Sequence, residues 1–543
     1  MVKIVLTAVI CFLTTRAFSQ CSPATAHAML DVNNVHARVN NGGDMWWDLL
    51  GNAKYSVPSG DSANALFAGA LWIGGLDQND ELHVAAQTYR QNGNDYFPGL
   101  LDANGNVAPS TCSDFDRIWQ VYGYEIDQVI ALWNNGGGNM LPQDQIPADV
   151  LQWPGKGNPY NPIVGDGNLA PFFDRDGDNA YDPTQGDYPL VECGSGYADQ
   201  MIWWVFNDKG NAHGETGGEP LGVEVQAMAY AYNTPALNQQ TFYCYKITNK
   251  SANTYHDIYA GLWVDPDVCS LGAKYVGSDS SQNMGIVYSR YEPDLSCNQG
   301  NGYGDQPPLL GFKILKGLAS DPDAPPMTHS MFYSADFSVT GNPQEPQQYY
   351  GYLKSEFKDG EHLTRDGDGY SGSIPTNYAF PDSPDDQFGF SECTADSSIG
   401  SGRHFIVSSG PGIMQPGESR VLNCVVLFVQ PPVGTFPCPS LSALTQQAGL
   451  VQQFYDDVPD PRFNTLPEIS IYPNPAVSGQ SAIVRTGAAG TIFVMDSFGR
   501  QLREPTQVAT NGRLDLSTLT AGCYLVKFTN HQGVPSFAKL IVQ

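Results

Sequence analysis

Ile469-Ser470-Ile471-Tyr472-Pro473-Asn474-Pro475 opens the segment whose reading decides the fold. Its two prolines fix φ and remove two backbone donors, so the chain enters a new unit through a rigid turn. Short alternating runs follow: Thr491 to Met495, closed by a turn at Asp496 to Gly499; Leu514-Asp515-Leu516, ahead of a turn at Ala521-Gly522; then Cys523 to Phe528 and Lys539 to Val542. Period-two runs between turn signals predict strands, and a succession of them predicts a compact two-sheet sandwich.

Four motifs in order carry a resemblance: Tyr472-Pro473-Asn474-Pro475, the strand ending in Asp496 with Gly499-Arg500 behind it, Leu514-Asp515-Leu516-Ser517 followed by Leu519, Gly522 and Tyr524, and the final Lys539-Leu540 with Val542. Together they resemble the C-terminal sorting domain of type IX secretion cargo in Bacteroidota. That resemblance covers residues 468–543 and implies a small immunoglobulin-like β-sandwich. It also implies a partner, the type IX secretion machinery, and a destination that is secreted or on the outer cell surface.

The other end agrees with export. Lys3, an apolar run from Ile4 to Leu13 and the small residues around Ala17-Phe18-Ser19 have the layout of a signal peptide over residues 1–20. Gln20 stands where a lipoprotein signal wants a small residue, so lipidation of Cys21 is the minor alternative. Nothing later is apolar enough for a membrane helix, and no transmembrane segment is expected in the mature chain. A net charge of -29 sets the protein against nucleic acid and anionic membranes. Divalent cations are its natural counter-ions. Asp outnumbers Glu roughly threefold, which favours turns and oxygen-ligand loops.

With 57 glycines, 39 prolines and 11% aromatic residues, the 543-residue chain predicts a mainly β fold with few helices. The body divides on pattern into a β-rich region over 21–215 and an antiparallel β-sandwich region over 216–458. Val223 to Tyr232, Thr241 to Thr248, Tyr259 to Val264, Arg403 to Val407 and Arg420 to Val429 read as strands, the last two flanking a turn at Pro416-Gly417. A helix capped by Ser440 should place Leu441, Leu444, Ala448, Val451 and Phe454 on one face. Residues 459–467 read as a linker. Of the eleven cysteines, Cys269 and Cys297 are the expected local bridge, while Cys244 and Cys424 read as buried thiols in apolar strands.

The strongest chemical constellation is the acidic loop 174–187, where Asp174, Asp176 and Asp178 alternate around Gly177. Carboxylates at that spacing, in a loop bent at Gly177 and Asn179, can converge on one hard cation, and calcium is the expected ion. The Ala180 carbonyl, Asp182 and Asp187 complete the expected ligand set. The loop resembles the calcium loops of dockerins and thrombospondin type 3 repeats, but departs from an EF-hand: Asn179 replaces the usual glycine, Gln185 the bidentate Glu, and Pro183 and Pro189 oppose an exiting helix. Asp265, Asp267 and Asp279 form a weaker second metal candidate, while Asp366 and Asp368 read as a plain turn. Further stretches, Ala70 to Gly75, Phe172 to Asp178, Gly261 to Asp267, Lys358 to Gly360 and Ser408 to Pro411, resemble secreted proteins that share the terminal domain. They imply a common architecture and transfer no catalytic residue.

No zinc-protease helix, nucleophile elbow or phosphate-binding loop is present. His213, His362 and His404 are isolated candidate bases, and a carboxylate pair of a glycosidase can hide among so many acids. Trp46, Trp47, Trp203 and Trp204 are candidate sugar-stacking rings, although adjacent strand positions point to opposite faces and favour a core role. The resulting expectation is a calcium-stabilised exported β-sandwich protein with an adhesive, structural or glycan-binding role; the alternative is a carbohydrate-active hydrolase.

Overall fold

The computed structural model describes residues 21–543 except 60–62, 165–166, 168, 195, 269–273, 298–299, 396–401, 458–468, 487–488, 497–499, 509–510 and 531–534. The expected signal peptide, the 459–467 linker and Cys269 of the expected Cys269 to Cys297 bridge lie outside the described residues.

Gln200–Asn207 shows why the body reads as near-continuous apolar sequence: every one of its residues is buried. Ile202, Trp204 and Phe206 enter one core, whereas Met201, Trp203 and Val205 enter another. Period-two geometry sends alternate side chains to opposite faces, so both faces of this sheet are covered. The same split recurs in Thr241–Asn249, with Tyr243, Tyr245 and Ile247 in the first core and Phe242 and Cys244 in the second.

Two nine-stranded sheets build the body. One runs His27–Leu30, His36–Asn40, Asp44–Met45, Asn64–Leu76, Tyr255–Pro266, Arg403–Met414 and His329–Ser334, with Tyr55–Ser56 and Leu82–Ala85 attached beside Asn64–Leu76. The other runs Lys274–Asp279, Met284–Ser289, Leu309–Lys316, Ser419–Val429, Thr241–Asn249, Val223–Ala231, Gln200–Asn207 and Phe97–Pro98, with Trp119–Tyr122 also on Gln200–Asn207. All these pairings are antiparallel. Trp46 joins the sheets: Gly69 of the first leaves room for its ring, and its Nε1 donates to the Tyr243 hydroxyl of the second at 2.8 Å.

Arg403–Met414 and Ser419–Val429 flank the turn at Pro416-Gly417 as expected, but they belong to different sheets, so the turn arches across the sandwich instead of closing a hairpin. Each sheet takes one block of strands from before residue 215 and one from after it, joined at a single pairing: Asn64–Leu76 with Tyr255–Pro266 in the first sheet, Gln200–Asn207 with Val223–Ala231 in the second. The body is therefore one continuous unit: both sheets and both cores run across the anticipated division between 215 and 216, which separates no domains.

Helices cover the outer faces. Pro346–Leu353 lies on the first sheet, its Tyr349 ring 5.1 Å from Trp72. Ser442–Asp457 lies on the second, burying Leu444, Ala448 and Val451, and Ser440 accepts the Ser442 N–H at 3.4 Å as the cap predicted. Among the described residues no helix is long and apolar enough to cross a membrane.

Residues 470–543 form a sandwich of their own. Three strands, Ser470–Tyr472, Ser481–Arg485 and Asn511–Asp515, make one sheet; Thr506–Val508, Gly490–Met495, Gly522–Asn530 and Pro535–Val542 make the other. Val484, Ile492, Val494, Leu514, Val526, Phe528 and Leu540 fill the space between them. The alternation read from the sequence therefore reports the fold directly.

Candidate functional site

The acidic loop is held at its base by an antiparallel ribbon, Phe172–Phe173 with Tyr188–Pro189, whose Phe173 and Tyr188 rings stack at 4.7 Å. Gly177 at φ 77° and Asn179 at φ 62° supply the left-handed bends that the spacing called for. Each acid then accepts a backbone N–H further along: Asp174 from Gly177 and Asn179 at 2.8 Å, Asp176 from Asp178 at 3.2 Å, Asp178 from Ala180 at 2.8 Å. These turns bring one carboxylate oxygen from each of Asp174, Asp176 and Asp178 within 4.8 Å of one another.

The other expected ligands do different work. Asp182 caps the short turn Pro183–Gln185 by accepting the Thr184 N–H at 2.9 Å. Asp187 is buried and ties the two arms of the loop together, accepting from Arg175 N at 2.8 Å and Asp182 N at 2.9 Å. Burial lifts its carboxyl to about 7, against the pull of those two bonds. No helix follows the loop: a 3-10 turn and a strand take the place an EF-hand would give to one.

A second cluster lies where Tyr255–Pro266 leaves the first sheet. Asp265, Asp267, Lys274, Tyr89, His404, Phe67 and Asn342 line a cavity of about 260 Å³. The Tyr89 hydroxyl donates to Asp265 Oδ2 at 2.7 Å and lies 2.8 Å from His404 Nε2, while Lys274 Nζ is 3.1 Å from Asp265 Oδ1 and also donates to the Pro266 carbonyl. Burial is the largest single influence on Asp265 and opposes its ionisation, but Lys274, His404 and the Tyr89 hydroxyl together outweigh it and hold the carboxyl below its usual range. Two residues on, Asp267 is buried with less compensation, and burial pushes it up to about 7. His404, between the rings of Trp263 and Tyr333, is pushed down to about 4 by burial.

Asp279 does not join Asp265 and Asp267. It ends the strand Lys274–Asp279, roughly 16 Å of strand away from Lys274, and caps the turn Ser280–Gln282. An ammonium, not a third carboxylate, meets the acidic pair. Tyr89 and Lys274 carried no sequence signal, because Tyr89 meets partners 176 and 315 positions away.

The four tryptophans offer no ring face to a sugar. Trp46, Trp47 and Trp204 are buried in the first core and Trp203 in the second, where its ring packs on Trp119. His213 is structural: its two ring nitrogens lie 2.8 Å and 2.7 Å from the carbonyl oxygens of Val84 and Asp208. The ring lies between the carboxylates of Asp95 and Asp208, 3.6 Å and 3.8 Å away. His362 is 3.0 Å from the Leu363 carbonyl, and Asp366 folds its own turn through Ser373 and Ile374.

Three disulfides are formed among the described residues: Cys21 to Cys112, Cys193 to Cys244 and Cys393 to Cys438. Cys424 is a buried thiol as expected, but Cys244 is bonded, and Cys21 has no thiol left for a lipid.

Residues 470–543 match the family model for the secretion system C-terminal sorting domain. The protein is thus sorted by type IX secretion, in the Bacteroidota manner, and is secreted or held at the outer cell surface. No curated protein matches the chain. Among solved structures, a polysaccharide lyase aligns over 68% of this chain at 10% identity with a TM-score of 0.18. The match spans 38% of the lyase chain, and at that TM-score it carries no argument.

Proposed function

We propose that the protein is a calcium-stabilised β-sandwich of the cell exterior whose role is adhesive or structural. The observation that supports this most is the convergence of Asp174, Asp176 and Asp178 within 4.8 Å, in a loop whose turns are already set by Gly177 and Asn179. Three like charges so close repel unless a cation lies among them, and a set of carboxylate oxygens suits calcium. The ion would tie down the exposed tip, residues 176–179, of the 14-residue loop 174–187. Sorting by type IX secretion delivers the chain to a calcium-bearing exterior.

A second reading, a carbohydrate-active hydrolase, draws on the paired Asp265 and Asp267, whose surroundings drive their ionisation apart. Glycan-array binding with and without a chelator, run beside a panel of glycoside substrates, separates the two. Binding without turnover supports the adhesive reading; turnover of any glycoside, abolished by D267N, replaces it with the hydrolase.

A further inference from the structure

The sorting domain has two unlike outer faces. On its three-stranded sheet the outward positions mix types, so that Tyr472 and Ile483 stand exposed among the charges of Arg485, Arg513 and Asp515. On the four-stranded sheet the outward positions are mostly apolar. Ile492, Val494, Tyr524, Val526, Phe528, Leu540 and Val542 point into the core between the sheets, so the alternate residues Phe493, Met495, Cys523, Leu525 and Ile541 point away from it. These five are only part-buried, and none belongs to a hydrophobic core of the molecule or packs against one among the described residues.

Strand register makes them one surface. Met495 lies opposite Leu525, Cys523 lies opposite Ile541, and Phe493 follows on the same side of its strand as Met495. Two lysines border the patch: Lys527 opposite Phe493, its Nζ 6.0 Å from the ring centroid, and Lys539 opposite Leu525. Thr491, Thr529 and Gln507 close it on the far side. Strands that are apolar on both faces belong to sheets covered on both, as Gln200–Asn207 of the body is. Here the outer cover has to come from elsewhere.

Charge decides between the occupants. A second copy laid face to face would set Lys527 and Lys539 against lysines of its own kind, and the net charge of -29 opposes an anionic lipid surface. Residues 470–543 themselves carry six Lys and Arg against three Asp and Glu, and none of the residues on this face is acidic. The domain is basic where the chain as a whole is acidic. Aromatic and methionine side chains at the centre with charge at the rim are the composition of a protein interface, and an acidic rim on the partner would answer the two lysines.

We propose that the secretion machinery docks on the outer face of the four-stranded sheet, covering Phe493, Met495, Leu525 and Ile541 with an apolar surface whose bordering carboxylates meet Lys527 and Lys539. This rests on the sorting role of residues 470–543 and is independent of calcium in the acidic loop.

The test expresses the full chain in a strain with a working type IX system and measures the exported fraction. F493S/L525S should lower export roughly tenfold, the scale of losing an interface anchor. K527E/K539E should lower it severalfold, K527R/K539R should leave it unchanged, and I483E/R513E on the opposite face should be exported as wild type is. Melting temperatures of the purified variants separate docking from folding, and the rim reversal K527E/K539E carries the test if F493S/L525S melts early. Normal export of folded F493S/L525S and K527E/K539E overturns the proposal, as does loss of export in I483E/R513E alone. Cys523, a free thiol on the same face, reports on other occupants: in the purified wild-type chain it should react with N-ethylmaleimide, mapped by mass spectrometry, and the chain should sediment as a monomer. Protection of Cys523 in a monomer means that the body of the chain covers the face, and protection in a dimer that F493S/L525S dissolves means that a second copy does; either result overturns the proposal. Export of a chain ending at residue 457 removes the sorting role itself, whereas arrest of that chain with normal export of the face variants removes only this face.

Discussion

Glu215 carries a charge problem that solution measurements can read. It is buried; its Oε1 accepts from the Thr88 and Tyr349 hydroxyls, and its Oε2 has no partner among the described residues. Burial lifts the carboxyl to about 7 from an ordinary 4.5, with Asp95 adding to the rise. The folded state therefore holds a proton between those two values that the unfolded chain has released. Stability from this group is complete below about 4.5 and is lost as pH climbs through 7, by roughly 3 kcal/mol. Denaturant unfolding at pH 5 and at pH 7.5 should show a fall in the wild type that E215Q reduces; an equal fall in both contradicts the assignment. No such group was visible in the sequence, where Glu215 is one acid among 56. Residue types whose meaning depends only on their neighbours in sequence, such as Gly177 and Asn179, were legible. Those that depend on distant partners, such as Tyr89, were not.

Among the elements, strands and the terminal helix were legible because each carries its own periodicity. The helix at Ser442–Asp457 repeats its apolar residues every three to four positions and needs no partner to be recognised. The Pro416-Gly417 turn shows the limit: the same residues serve a hairpin or an arch, and only the pairing of each strand with other strands decides. Cys244 failed for the same reason, since its partner sits in an irregular segment that no pattern marks. That bond clamps Cys193 to the strand Thr241–Asn249 across 51 residues. Replacing Cys193 and Cys244 by serine should cost roughly 2–4 kcal/mol, measured under oxidising conditions as a lower denaturant midpoint; no change at all contradicts the clamp.

Over the whole molecule, the pairing of early with late strands in both sheets, and the cores they share, make the body indivisible. A chain cut at 215/216 leaves both sheets without neighbouring strands and their edges open, so neither half should give a cooperative unfolding transition alone. The tail differs: its core shares no residue with those of the body. A chain ending at residue 457 should melt as the body does in the full chain yet fail to leave the cell, as judged by fractionation of an expressing strain; export without residues 470–543 contradicts the sorting role. The tail was legible as a unit because a small sandwich writes its turns and alternation into one short run. The body's topology was not, because its pairings link segments hundreds of positions apart.

Calcium calorimetry on the mature chain tests the account at its centre. Wild type should take up one calcium ion with a dissociation constant of roughly 0.1–1 mM, the range of extracellular loops, and gain melting temperature as it does so. The double variant D176N/D178N should lose both the heat and the gain. Wild-type protein that shows no saturable heat up to about 10 mM calcium, well past that range, contradicts the account.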